Sequence, residues 1–262
     1  MGTDWQLRES GPMDAESTVL LLPGGMCSAG SYAEVMAQPA LARLRLVAAT
    51  LPGHAGAPPL DDCSIESYAR VTAELAAQVD ADVVVGFSIG ACVALEMVAS
   101  GAFARPTVLL GISLSSADEP AFFHALVRLG DVLGAFPAML MANGAASMAR
   151  RMPVSAERQA ELRDDFRRNN PRDMRRVLRE YARWLRRHED PAARLCQAGV
   201  PAWIVHAEKG DGGLTGDERR TLEVCANAHV VTIPGSVFFL PVEAPERMAE
   251  IIGEAVALGA RP

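Results

Sequence analysis

A chain of 262 residues that is 50% hydrophobic but only 5% aromatic has enough apolar surface for a core of Ala, Val and Leu packed between a sheet and helices. Its net charge of −7 argues against a nucleic-acid partner, which needs a concentrated positive field. No apolar run reaches the length of a membrane span, and the polar segment 1–17 lacks an apolar signal core, so no membrane partner and a cytoplasmic location are expected. The five cysteines, Cys27, Cys63, Cys92, Cys196 and Cys225, form no Cys-x-x-Cys pair. They read as free thiols rather than a disulfide framework or zinc site.

In chain order, the leucine-rich segment 18–22 predicts a buried strand ended by Pro23-Gly24-Gly25, and 31–38 a short helix. Residues 44–50 predict a second strand, closed by Leu51-Pro52-Gly53-His54. Helical spacing follows over 65–79, then a third strand ending at Val85 and a helix over about 89–100. Further strands are expected at 107–112, 200–207 and 228–233, and a closing helix over 245–258 that begins with Pro245. Short strands that are apolar on both faces and alternate with helices call for a mostly parallel sheet covered on both sides, an α/β fold in one domain spanning 1–262. Residues 114–192 contain no convincing strand. Helices are expected there at 121–133, 156–169 and 171–188, and the segment reads as a helical cap inserted where strands deliver their C-terminal ends. The arginines of this stretch alternate with Asp and Glu and read as a solvated helix face.

Gly86-Phe87-Ser88-Ile89-Gly90 matches Gly-x-Ser-x-Gly between a strand and a helix, the context that marks a nucleophile elbow. The turn is sharp enough to require small flanking residues and to hold the serine oxygen clear of the sheet, beside the free N–H groups of a helix N-terminus. An acyl oxyanion needs two fixed donors. One is expected from the N–H of Ile89, the other from Gly25 or Met26, between which the sequence does not choose.

These segments together, with Leu-Pro-Gly-His at 51–54, Ile-Val-His-Ala-Glu-Lys-Gly-Asp at 204–211 and Glu-Ala-Pro-Glu at 243–246, stand in the order found in α/β-hydrolase-fold proteins. The chain resembles the branch that includes small esterases, C–C bond hydrolases and haloperoxidase-like enzymes. The resemblance covers nearly everything outside the cap. It implies the fold strongly and the substrate hardly at all.

In that family the acid follows a late strand, a place taken here by Asp211, with Glu208 as the alternative. The family histidine lies about five residues before Glu-x-Pro. Counting back from Glu243, its position falls on Phe238, and no histidine follows His229. His229 begins a strand at the far end of the sheet, His206 lies inside one, and His124 and His188 are in the cap. His54, near the top of the sheet, is the candidate substitute base. Histidine normally takes the serine proton and returns it to the leaving group, and its removal from a serine hydrolase costs on the order of 10⁶-fold, about 8 kcal/mol.

Three functions follow. The first is an enzyme on a small apolar carbonyl or acyl compound, with Ser88, Asp211 and His54 as site residues and the substrate, a water or His54 moving the proton, in non-standard chemistry: elimination, cyclisation, decarboxylation or C–C cleavage. The second is an esterase or thioesterase with a relocated histidine base, His54 or a cap histidine. The third is an inactive ligand-binding relative, its pocket lined by Phe238, Phe239 and the Met139-Leu140-Met141 run. No nucleotide loop or metal cluster is legible, so neither cofactor nor metal is expected.

Overall fold

A computed structural model describes residues 3–187, 190–209 and 213–259. Seven strands form one sheet: β1 (Gln6–Ser10), β2 (Thr18–Leu22), β3 (Arg45–Thr50), β4 (Val83–Phe87), β5 (Thr107–Leu110), β6 (Ala202–Ala207) and β7 (Ala228–Ile233). Their spatial order is β1-β3-β2-β4-β5-β6-β7. Every pairing is parallel except β1 with β3, where Gln6 faces Thr50 and Ser10 faces Leu46. The sheet is therefore mostly parallel with one antiparallel edge strand, as expected of the α/β class. The edge strand was not expected: its QLRES sequence is polar and exposed at four of five positions, and carries no buried-strand pattern.

The helices, in chain order, are α1 (Ala33–Met36), α2 (Ile65–Gln78), α3 (Ile89–Ala99), α4 (Ala121–Leu133), α5 (Phe136–Met148), α6 (Ala156–Arg167), α7 (Pro171–Arg187), α8 (Pro191–Ala198), α9 (Gly216–Glu223), α10 (Leu240–Glu243) and α11 (Pro245–Gly259). Alternation along the strands splits the core into two. Leu20, Leu22, Val84, Leu109 and Ile204 face α2, α3 and α8. Val19, Leu21, Val85, Phe87, Val108 and Val205 face α11. Strands buried on both faces explain why β2, β4 and β5 are continuous apolar runs.

Helices α4–α7 lie between β5 and β6, where the sequence lacks strands. Helix α5 escaped the sequence reading because its apolar and small residues, FPAMLMANGAASM, are spread around its circumference. No helix among the described residues is long and apolar enough to cross a membrane.

One cysteine expectation is corrected. Cys196 and Cys225 form a disulfide, with Cα atoms 5.8 Å apart, so the thiols are not all free. The partners are 29 residues apart in sequence. They meet because the last turn of α8 lies beside the turn between α9 and β7, a tertiary contact that spacing does not encode. Cys27, Cys63 and Cys92 are free and buried.

Candidate active site

Strand β4 ends at Phe87 and α3 begins at Ile89, leaving Ser88 alone to make the turn. Its φ of 52° and ψ of −118° lie where side chains are strongly disfavoured. The neighbours on both sides enforce the glycines. A Cβ on Gly86 would lie 2.2 Å from the carbonyl oxygen of Gly90, and one on Gly90 would lie 2.5 Å from that of Leu22. The Ser88 N–H donates to Leu110 O at 2.8 Å, which anchors the elbow to β5. The hydroxyl makes no capping hydrogen bond to α3 and is half-buried.

The loop after β2 lies on this elbow. A Cβ at Gly24 would stand 3.4 Å from Ser88 Cβ and 2.8 Å from the Phe87 ring, so only glycine fits. A Cβ at Gly25 would stand 3.7 Å from Ile89 Cγ2, which places the two expected donor residues side by side. Met26 follows with φ of 66°. Its N–H donates to His54 Nδ1 at 3.0 Å, and its carbonyl accepts from Asn169 Nδ2 at 2.9 Å. Asn169 Oδ1 in turn accepts from Ala55 N–H at 2.9 Å. Gly25 N–H has no hydrogen-bond partner among the described residues.

His54, the candidate base, is 1% exposed. Since Nδ1 accepts, the proton sits on Nε2, which is buried with no partner. Burial lowers its pKa to about 4, so the ring is neutral near pH 7. Its partner is the loop beneath Ser88, not the serine hydroxyl.

None of the other described imidazoles is hydrogen-bonded to Ser88. His124 Nε2 contacts Ser116 O at 2.9 Å. His229 stacks on Trp203, the ring centroids 4.9 Å apart. His206, on the α9 side of β6, has both nitrogens buried and unpartnered, and burial, helped by Arg219, lowers its pKa to about 4. His188 and Asp211 lie outside the described residues.

Phe238 comes to the elbow. Its ring centroid is 5.4 Å from that of Phe87, the residue before Ser88, and Phe239 packs on the same ring at 5.0 Å. Glu243 holds this turn by accepting the N–H groups of Val237, Phe238 and Phe239 at 2.5, 3.3 and 2.9 Å. Glu208 braces the preceding turn, accepting Gly235 N–H at 2.8 Å.

Several polar residues near the upper end of the sheet were not anticipated. Asp118 is 4% exposed and accepts the N–H groups of Leu114 and Ser115 at 2.8 and 2.9 Å. Burial, with Glu218 beside it, pushes its carboxyl up to about 6. Asp165 on α6 accepts from the Ser28 N–H and hydroxyl, and Arg158 reaches Gly30 O and Glu34. Together with Asn169, these residues fasten α6 and its C-terminal turn to the loop that carries Gly25. The only signal available in sequence was a cluster of polar residues at the end of a helix, which ordinary solvated helices share.

A parallel sheet with a strained serine between β4 and α3, overlaid by a glycine loop after β2, defines the α/β-hydrolase architecture. The chain belongs to the Alpha/beta hydrolase family, whose model matches residues 19–251. Among solved structures it is similar to a thermophilic esterase from Thermogutta terrifontis, with 16% identity, 98% of this chain and 94% of that chain covered, and a TM-score of 0.77. An N-acyl homoserine lactonase, AidH, shares 19% identity over 100% of this chain and 98% of that chain, with a TM-score of 0.76. A putative aryl esterase from Burkholderia cenocepacia shares 17% identity over 98% and 97%, with a TM-score of 0.75. Among functionally curated proteins, none matches this sequence significantly.

Proposed function

We propose that this protein is an α/β-hydrolase-fold enzyme that binds a small apolar carbonyl or acyl compound at Ser88 and transforms it without a serine–histidine general-base pair. The N–H groups of Ile89 and Gly25 hold the carbonyl oxygen. Met26 is left out of the oxyanion site because its N–H is already given to His54. The observation that carries the reading is the aromatic ring of Phe238 at 5.4 Å from that of Phe87, beside the elbow, at the residue where counting back from Glu243 expects the histidine. A phenyl ring neither accepts nor relays a proton, but it dries and shapes an apolar site. The oxyanion donors still stabilise negative charge on an enolate or tetrahedral oxygen. Decarboxylation, elimination, cyclisation or C–C cleavage fits this set when the proton is moved within the substrate. In a β-keto acid the carboxyl proton passes to the ketone oxygen as the C–C bond breaks and CO2 leaves. In the other reactions an enol or hydroxyl proton passes to the substrate's own carbonyl or leaving oxygen.

Helices α4–α7 act as a cap in this reading. What supports it is the fastening of Asp165 and Asn169 to the loop beside Ser88. The test is turnover of a panel of β-dicarbonyl, ester and thioester compounds by wild type and Ser88→Ala. Loss of turnover in the variant, confined to non-hydrolysed substrates, supports the proposal. Rapid hydrolysis of simple esters points instead to a relocated histidine. A carbonyl compound bound tightly and returned unchanged points to a ligand-binding protein.

A further inference from the structure

Of the twelve large apolar side chains exposed among the described residues, eight lie between positions 122 and 148, on α4 and α5. Phe122 is 64% exposed and Val132 81%, and Leu133, Phe136 and Leu140 are each 51% exposed. Phe122, Leu129 and Leu133 fall on one stripe of α4, while Phe136 and Leu140 begin one on α5. Buried residues occupy other sides of the two helices: Phe123 and Gly130 on α4, and Ala138 and Ala142 on α5. An apolar surface of this extent on two neighbouring helices exceeds the scattered exposed residues of an ordinary soluble surface.

The segment that carries it is net positive. Residues 114–187 hold 14 arginines against 9 acidic residues, whereas the rest of the chain holds 11 basic against 23 acidic. Many arginines of α6 and α7 are paired with carboxylates in their own helix. Arg128, Arg150, Arg151 and Arg172 are different: all are exposed, and none makes an ion pair among the described residues. Arg128 stands on α4, and Arg150 and Arg151 follow α5. Arg172 lines an open groove of about 320 Å³ with Phe136, Met139 and Pro171. A large apolar face edged by unpaired guanidinium groups, with a groove that joins the two, matches the boundary between acyl chains and anionic headgroups.

We propose that the α4–α5 hairpin docks flat on an anionic lipid surface, with Phe122, Val132, Leu133, Phe136 and Leu140 entering the acyl region and Arg128, Arg150, Arg151 and Arg172 meeting the headgroups. A second copy of this chain fits less well. A two-fold interface on this face would bring two identical sets of arginines into one contact, with Asp131 as the one acidic side chain within the hairpin to offset them. Lying on a membrane needs no spanning helix, so this surface is compatible with the lack of one among the described residues. The proposal is independent of the chemistry at Ser88.

The test is flotation of the purified chain with phosphatidylcholine vesicles, with and without phosphatidylserine, alongside light scattering of the free protein. Wild type is expected to bind phosphatidylserine vesicles at least about tenfold more tightly than neutral ones, with affinity falling as salt rises. The double variant V132D/F136D and the double variant R150E/R151E should each lose most of that binding while keeping the native circular dichroism, since all four side chains are exposed. No binding by wild type overturns the proposal, as does equal binding to neutral vesicles. A wild-type dimer that V132D/F136D dissociates also overturns it and assigns the face to self-association.

Discussion

The Nδ1 of His54 accepts the N–H of Met26 at 3.0 Å, and this bond decides what His54 is for. It fixes the neutral tautomer, leaves the Met26 N–H already engaged, and holds a residue with φ of 66° in the loop against the elbow. His54 is a positioning residue in this account, and its unpartnered Nε2 is a buried polar cost carried by the fold.

That burial predicts an acid-sensitive fold. His54 and His206 both have folded pKa values near 4 against an ordinary 6.5, so the unfolded chain binds more protons between those values, and stability falls as pH falls through that window. Asp118, raised from 3.8 to about 6, acts in the opposite sense, because its folded form keeps a proton that the unfolded form gives up. Two histidines against one carboxyl leave a net loss of roughly 3 kcal/mol on going from pH 6.5 to 4. Urea unfolding across this range should show it, and His54→Gln should flatten the slope. Stability that is level or rising on acidification contradicts the assignment.

Asn169 joins three segments: its Nδ2 donates to Met26 O, Asp165 O and Phe166 O, and its Oδ1 accepts Ala55 N–H. Asn169→Leu leaves buried Ala55 N–H and Met26 O unpaired and is expected to cost about 2–4 kcal/mol. Amide exchange at Ala55 should quicken more than in distant strands. Unchanged stability together with unchanged exchange would show that α6 and its C-terminal turn do not hold the loop.

The glycines of the site divide by what surrounds them. Gly86→Ala and Gly90→Ala each force a Cβ within 2.5 Å of backbone oxygen and should fail to fold or lose several kcal/mol. Gly25→Ala meets only Ile89 Cγ2 at 3.7 Å and should stay folded. Thermal melts of the three variants separate them, and a Gly90→Ala protein as stable as Gly25→Ala would refute the close approach of β2 and α3.

Much of this arrangement is legible in sequence because it is local. β2, β4, β6 and the elbow are contiguous runs whose apolar pattern and glycines state their environment, and 121–133 matches α4 from end to end. What escaped is set by contacts between distant segments. β1 is polar and exposed, and is a strand only because β3 offers it an edge. Cys196 and Cys225 meet through packing of α8. The role of His54 depends on Met26, 28 residues earlier, and on a loop shape that no spacing rule describes.

The claim on which this account rests is that Ser88 has an oxyanion site but no proton acceptor beside it. Incubation with a fluorophosphonate probe, followed by mass spectrometry of the Ser88 peptide, tests it directly, with Ser88→Ala as the blank. The account predicts little or no adduct in wild type under conditions that fully label an ordinary serine esterase. Rapid, stoichiometric labelling of Ser88 would contradict it and require a base within reach of that hydroxyl.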